Sequence, residues 1–173
     1  RSAQLPAEGR LMFRADRPTG TPEEVYAELA RQARGLFRGE RDAIANAANL
    51  SALVYGGLAD VNWAGFYFLK GAELVLGPFQ GRPACIRIPV GKGVCGTAAA
   101  RRQTIVVPDV EQFPDHIPCD SASRSEIVVP LMKGAQLTGV LDLDSPVLSR
   151  FTSADHRGLE ALGALWCDSS DVR

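Results

Sequence analysis

The residues of this chain with the clearest capacity for chemistry are its four cysteines. They are Cys85, Cys95, Cys119 and Cys167, in a sequence of 173 residues. A cysteine can be a small buried hydrophobic residue or, as a thiolate, a nucleophile that forms disulfides. No two of the four have the C-x-x-C spacing of a structural zinc site or a thioredoxin-type pair. Core packing and redox chemistry therefore remain as the two interpretations.

Cys119 has the surroundings most favourable to a thiolate. It lies in the polar segment 108–123, which is predicted to be an irregular loop, and His116 and Arg124 are close to it in sequence. Cationic neighbours lower the pKa of a thiol, and a loop of this length is usually functional or disordered. Cys167, by contrast, falls at the end of a predicted helix and is interpreted as a packing residue or an incidental surface residue.

Three carboxylates form a second candidate group. Segments 126–132 and 137–144 are predicted strands, and their short connection forces them into an antiparallel pair. Because side chains alternate along a strand, Glu126 is expected to lie near Asp142 or Asp144 on one face. A lone carboxylate there would usually be solvated, but three facing one another need a cation, an ammonium group or a retained proton. The opposite face of the second strand carries a predicted core row of Leu137, Gly139, Leu141 and Leu143.

Two aromatic residues are placed to form walls for such a site. Trp63 and Tyr67 fall on the same face of a predicted strand, 61–69, which is expected to be buried on both faces. Core packing is the commoner fate of aromatic side chains. A pocket with aromatic walls and an acidic floor would suit a small, partly apolar molecule with an amino group. A divalent metal is the competing ligand, but the sequence has no EF-hand loop and its two histidines lack metal-ligand spacing, so no resident metal is predicted.

The periodicity of the chain predicts the elements that position these residues. Helices are predicted from Thr21 to about 39, over 41–55, over 93–102 and from Thr152 onward, and strands over 61–69, 74–76, 85–90, 104–107, 126–132 and 137–144. This order predicts an α+β fold, with about six antiparallel strands packed by N- and C-terminal helices. Residues 1–20 are predicted to be a loose arm, and 21–173 a single domain.

One motif in the sequence suggests a different function. Residues 91–96 read GKGVCG, which matches the G-x-G-x-x-G fingerprint of dinucleotide-binding proteins. The helix that follows is too short for a βαβ crossover, so this interpretation is rejected. The glycines are instead expected to let the backbone pass close to a pocket, with Cys95 beside it.

Composition excludes several classes of function. Hydrophobic residues make up 46% of the chain, and 19 Lys and Arg balance 20 Asp and Glu, for a net charge of −1. Such a balance gives no support to a nucleic-acid or anionic-membrane partner. Apolar runs are far shorter than the roughly 20 residues that span a bilayer, and no export signal opens the chain. We therefore expect a cytoplasmic protein.

Several blocks of sequence together resemble one known family. They are Asn62–Tyr67, Leu76–Gly81 through Cys85, Gly91–Gly96, His116–Glu126 and Gly139–Pro146, and in order and spacing they are similar to the free methionine-R-sulfoxide reductases. The resemblance covers about residues 22–167. It implies a GAF domain and the reduction of free L-methionine (R)-sulfoxide to methionine.

The resemblance also implies roles for individual residues. Cys119 matches the nucleophile, Cys85 its disulfide partner, and Cys95 an additional family cysteine. Catalysis would pass through a sulfenic acid and a disulfide, with thioredoxin restoring the enzyme and no cofactor beyond this external dithiol. The family further suggests a homodimer.

The substrate-binding residues implied by the resemblance coincide with those found from strand alternation. Trp63 and Tyr67 match residues that hold the methyl and thioether end of the substrate. Glu126, Asp142 and Asp144 match the carboxylates that contact its polar end. The chief rival function is a non-catalytic GAF sensor of small molecules, and a third is a thiol switch acting on a protein partner. A sensor is expected to be joined to an output domain, for which the chain has no room.

Overall fold

The computed structural model describes residues 16–115 and 121–172. Within them a six-stranded sheet is flanked by four α-helices and one short 3-10 helix. The elements are α1 (Pro22–Leu36), α2 (Ala43–Gly57), β1 (Trp63–Lys70), β2 (Glu73–Gly81), β3 (Arg87–Pro89), α3 (Gly93–Arg101), β4 (Ile105–Val107), the 3-10 turn Val110–Gln112, β5 (Ser125–Lys133), β6 (Gln136–Ser145) and α4 (Ser153–Ser169). Among these helices, none has the length and apolarity to cross a membrane.

The starts of the helices follow from their capping residues. Thr21 and Glu24 form a capping box at α1, and Thr152 and Asp155 form another at α4, as the sequence predicts. At α2 the side chain of Asp42 accepts hydrogen bonds from the first free backbone N–H groups of the helix. These side chains satisfy backbone donors that the first turn of a helix leaves unpaired.

All neighbouring strands of the sheet are antiparallel, in the order β3-β2-β1-β6-β5-β4. Two tight hairpins, β1–β2 and β5–β6, supply most of this topology. Their turns contain Gly71 and Gly134, both with a φ near +60°, which glycine adopts without strain. The predicted α+β class and antiparallel sheet are confirmed.

The sheet is buried on both faces, each by a separate apolar cluster. On one face α2 and α4 pack over Phe66, Ile127 and Leu143, with Trp166 of α4 among them, and α1 packs against α2 and α4. On the other face α3 packs over β5 and β6, and this cluster includes Trp63, Tyr67, Val128 and Val140. The central strand β1 therefore contributes side chains to both clusters, which confirms its predicted two-sided burial.

The predicted core row on β6 is wrong at one position. The pairing of β5 and β6 slips between Leu131 and Met132, and β6 has one residue more than β5 at this point. Such a bulge reverses side-chain alternation beyond it. Leu137 therefore joins the α3-side cluster, while the hydroxyl of Thr138 donates to the carbonyl of Leu131 at 2.9 Å.

Two other predicted boundaries also shift. β2 continues to Gly81, well beyond the predicted 74–76. Between the pairs Gly65–Phe79 and Tyr67–Leu76, β2 has one residue more than β1. This irregularity near Pro78 lets the two strands stay paired beyond it. β3 is confined to Arg87–Pro89, inside the predicted 85–90.

The end of the predicted N-terminal arm contacts the domain. The side-chain amide of Gln32 on α1 donates to the carbonyl of Asp16 at 3.3 Å. Residues 1–15 of the predicted arm lie outside the described residues.

Candidate functional site

The three predicted carboxylates lie on adjacent strands of the sheet, on the face covered by α3. Glu126 of β5 stands directly opposite Asp144 of β6, and Asp142 is the next residue on the same side of β6. Glu126 and Asp142 are each 6% exposed, and Asp144 is half-buried. This register confirms the placement expected from strand alternation.

The first turn of α3 adds a thiol to this acidic group. Cys95 Sγ lies 4.0 Å from Glu126 Oε1, and the thiol also hydrogen-bonds the carboxylate of Asp142. One ligand atom from each of the three residues lies within 4.8 Å of those of the other two. We call Cys95, Glu126 and Asp142 the buried triad.

Glycine permits the close approach of α3. A Cβ at Gly96 would lie 2.4 Å from the carbonyl oxygen of Pro89, so no larger residue fits without a backbone shift. The segment 91–96 thus brings Cys95 beside the carboxylates, as the sequence analysis expected. The dinucleotide interpretation of this motif fails in the structure as well, because the described sheet is antiparallel throughout.

Burial makes the titration of the triad unusual. The pKa of Glu126 is raised well above its ordinary value, first by burial and then by the charges of Asp142 and Asp144. Burial raises the pKa of Asp142 to about 7, although hydrogen bonds from Cys95 and Glu126 oppose the shift. Two such carboxyls hold at least one proton at neutral pH, and Glu126 is the one that donates it toward Asp142.

The thiol of the triad is also held in its neutral form. Burial raises the pKa of Cys95 well above the usual thiol value, and the charges of Asp142 and Glu126 raise it further. Cys95 is a free cysteine and 4% exposed. In the resting protein Cys95 is therefore a thiol. A thiol is a weaker nucleophile than a thiolate.

One oxygen of the triad lacks a partner. Oδ1 of Asp142 is buried and accepts no hydrogen bond from any described residue. Buried carboxylate oxygens nearly always have a donor, from protein or from a bound molecule. An ammonium group or a cation would satisfy this one.

Aromatic rings line the same face of the sheet. The ring of Trp63 stacks between those of Tyr67, at a centroid distance of 5.9 Å, and Phe79, at 5.3 Å. The indole N–H donates to the carbonyl of Arg82 at 3.0 Å, and the Tyr67 hydroxyl donates to the carbonyl of Cys85 at 3.0 Å. The two predicted aromatic residues are thus held in place and tied to the chain segment that carries Cys85.

Phe79 was missed by the sequence analysis because β2 was predicted to end before it. Its position opposite Gly65 of β1 is the signal that could have identified it once β2 is extended. A Cβ at Gly65 would meet the side chains of both Trp63 and Phe79, so glycine leaves room for the stacked rings.

The remaining cysteines fall into different environments. Cys85 is disulfide-bonded, and Cys119, the predicted nucleophile, lies outside the described residues. Cys167 is a free cysteine, 2% exposed, in the cluster on the opposite face of the sheet. It is a packing residue, and burial raises its pKa to about 11.

Comparison with known proteins places this geometry in a family. A family model described as the GAF domain matches residues 21–165. The chain is 56% identical over 141 residues to the free methionine-R-sulfoxide reductase of Escherichia coli (strain K12), which covers 82% of this chain and 86% of that protein.

Solved structures share the fold of this chain. The structure of free methionine-R-sulfoxide reductase from Neisseria meningitidis in complex with its substrate superposes with a TM-score of 0.85 at 42% identity, over 89% of this chain and 93% of that one. A putative GAF sensor protein from Burkholderia vietnamiensis superposes with a TM-score of 0.85 at 59% identity, over 87% of this chain and 96% of that one. The chain belongs to the free methionine-R-sulfoxide reductases, a family of GAF-domain oxidoreductases.

Proposed function

We propose that this protein reduces free L-methionine (R)-sulfoxide to L-methionine, with Cys119 as nucleophile, Cys85 as its disulfide partner and thioredoxin as the reductant. The observation that carries the proposal is the buried triad beside the Trp63 and Tyr67 rings. It combines a retained proton, an unpaired carboxylate oxygen and an apolar wall in one site. The similarity to relatives that act on this substrate agrees with that chemistry.

Substrate selection follows from the two ends of the site. The carboxylates attract the ammonium group of a free amino acid, and Asp142 Oδ1 is an open acceptor for one of its N–H bonds. A methionine sulfoxide within a polypeptide has no such ammonium group. The methyl and thioether carbons would pack on Trp63 and Tyr67, whose rings offer apolar area without flexible atoms.

The chemical step needs a proton as well as a nucleophile. A thiolate attacks the electron-poor sulfur of the sulfoxide while an acid protonates its oxygen. Glu126 is the acid in this proposal, because burial and its charged neighbours keep it protonated. Methionine leaves, and the sulfoxide oxygen remains on Cys119 as a sulfenic acid.

The second half of the cycle restores the thiols. The thiol of Cys85 condenses with the sulfenic acid, which forms a disulfide and releases water. Support for this step comes from Cys85 being disulfide-bonded, and from the hydrogen bond that ties its backbone carbonyl to the hydroxyl of Tyr67. A dithiol such as thioredoxin then reduces the disulfide by exchange, and its own thiols are oxidised. No resident cofactor enters this cycle.

Cys95 takes a different part in the proposal. Its thiol is buried and neutral, so it contacts the acid Glu126 rather than attacking sulfur. The cytoplasmic location expected from the sequence and the homodimer suggested by the family complete the proposal.

The test of function is thioredoxin-coupled turnover of free methionine-R-sulfoxide. Turnover by the wild-type protein, with little or none for the S epimer or for a sulfoxide in a peptide, is the expected result. A protein that binds the sulfoxide without reducing it would be the sensor instead.

A single-turnover experiment tests the cysteine roles. Without reductant, Cys119→Ser should release no methionine, and Cys85→Ser should release about one equivalent and stop at the sulfenic acid. Cys167→Ser is the matched control, because this cysteine lies on the other face of the sheet. Loss of the first turnover in Cys95→Ser, with Cys119→Ser still active, would move the nucleophile to Cys95.

A further inference from the structure

The buried triad has the ligand set of a metal site as well as that of an acid–base site. A thiol and two carboxylates from three separate elements converge, and their ligand atoms lie within 4.8 Å of one another. Zn²⁺ takes thiolate sulfur at roughly 2.3 Å and carboxylate oxygen at roughly 2.0–2.2 Å. Ligands bound at those lengths stand about 3–4 Å apart around a tetrahedral ion. Small side-chain movements would therefore close the triad around one ion.

A second observation points to a missing ligand at this position. Asp142 is 6% exposed, and its Oδ1 has no hydrogen-bond partner among residues 16–115 and 121–172. Buried carboxylate oxygens without a donor are rare in folded proteins. A cation between Asp142, Glu126 and Cys95 would supply the missing interaction.

We propose that Cys95, Glu126 and Asp142 bind one Zn²⁺ ion, and that this zinc inhibits the enzyme by occupying the place of the substrate ammonium group. The binding part stands on the triad alone. The inhibition part rests on the proposed function, in which Asp142 and Glu126 receive the substrate.

Zinc is favoured over the other common divalent cations by the chemistry of the ligands. Mg²⁺ and Ca²⁺ take six or more oxygen ligands, and Mg²⁺ keeps several waters. The triad offers two carboxylates and one sulfur in a buried space. A thiolate ligand selects a softer ion, and two carboxylates with a thiolate more than neutralise Zn²⁺, which leaves the site with a net charge of −1. Binding releases the protons of the Cys95 thiol and the Glu126 carboxyl to solvent, so the affinity for zinc rises with pH.

The binding test removes the other thiols, which would also bind zinc. In a Cys85→Ser/Cys119→Ser/Cys167→Ser variant, Cys95 is the last of the four cysteines. We expect this variant to bind one equivalent of Co²⁺ with a thiolate-to-metal charge-transfer band, and Zn²⁺ to displace the cobalt. A bound cobalt without that band would overturn the proposal.

Substitutions in the same background separate ligands from bystanders. Asp142→Asn and, in a further variant, Cys95→Ser should each weaken Zn²⁺ binding by about 10-fold or more, since even outer-shell partners contribute that much. Glu73→Gln is the control, because this carboxylate is exposed on β2 and pairs with Arg87. Circular dichroism confirms that each variant is folded. Equal zinc affinity in Asp142→Asn and Glu73→Gln would overturn the site.

Kinetics of the wild-type enzyme test the inhibition. Zn²⁺ should raise the KM for free methionine-R-sulfoxide with little change in kcat, and a chelator should reverse the effect. Turnover that micromolar zinc leaves unaffected would overturn the inhibition. A triad that binds zinc in a protein without turnover would instead remove the proposed function and leave the metal site standing.

Discussion

Cys95 Sγ lies 4.0 Å from Glu126 Oε1, and both side chains are almost completely buried. The contact joins the first turn of α3 to the start of β5, and it places a neutral thiol against a carboxyl that retains its proton. An arrangement that would be costly with both groups ionised is stable here because the protons remain.

Glu126→Gln should lower kcat/KM for methionine sulfoxide by about 10²–10⁴-fold, since an amide cannot donate the proton that a general acid supplies. The measurement is steady-state turnover coupled to thioredoxin. Glu73→Gln, a change of the same type at an exposed carboxylate, should leave kcat/KM unchanged. An unchanged kcat/KM for Glu126→Gln would remove this residue from the site.

Substrate affinity should weaken as pH falls through about 7, the value to which burial raises the pKa of Asp142. Below that pH Asp142 takes up a proton and loses its attraction for the substrate ammonium group. Calorimetric titration of the Cys119→Ser variant, which should not turn over, gives the dissociation constant without interference from chemistry. In Cys119→Ser/Asp142→Asn the constant should be weaker and nearly independent of pH. A pH dependence that survives this second substitution would assign the titration to another group.

The titration of Asp142 should also make the free energy of unfolding depend on pH. The pKa of Asp142 rises from 3.8 to about 7 on folding. The native state therefore binds more protons than the unfolded state between these values, and the free energy of unfolding falls as pH rises through this window. In Asp142→Asn the titrating group is absent, so this fall in the free energy of unfolding should disappear.

Melting temperatures of wild type and Asp142→Asn at about pH 4.5 and about pH 8 measure the effect. The variant should gain at least about 2 °C relative to wild type at the higher pH, because about 1 kcal/mol shifts Tm by about 2–4 °C in a domain of this size. Comparing the two pH values cancels the pH-independent cost of the amide. Identical shifts at both would contradict the raised pKa.

Trp63→Phe and Trp166→Phe form a matched pair on opposite faces of the sheet. The first shortens a ring stacked against Tyr67 and Phe79 and loses the hydrogen bond to Arg82, so the KM should rise about 10-fold, as expected for about 1.4 kcal/mol of lost binding. Trp166→Phe leaves a void in the apolar cluster on the face of the sheet opposite α3. This substitution should lower the Tm and leave the KM unchanged. Equal effects on KM would indicate that Trp63 only packs the core.

Local sequence was sufficient for much of the fold, because capping and alternation depend on near neighbours. Thr21 and Thr152 each form a capping box with an acidic residue three positions later, and this pattern predicts where the two helices begin. The antiparallel β5–β6 pair follows from its short turn, and with it the shared face of Glu126, Asp142 and Asp144. Resemblance supplied the family, which the comparisons confirm.

Where the pattern depended on pairing with a distant strand, the sequence alone was insufficient. The bulge opposite Leu131 turned Leu137 to the other face, and the irregularity near Pro78 extended β2 far enough to bring Phe79 onto Trp63. The alternation of apolar and polar residues predicts neither irregularity. The sequence of one strand does not show where its partner strand has one residue fewer.

The chemistry divides in the same way. Sequence by itself determined which residue types were available: thiols, three carboxylates at alternating positions and two aromatic rings. Only the tertiary structure decided that Cys95 meets Glu126 and Asp142, and that Cys167 does not. The physical reason is that a pKa depends on burial and on nearby charges, and both arise only when α3 closes over the sheet.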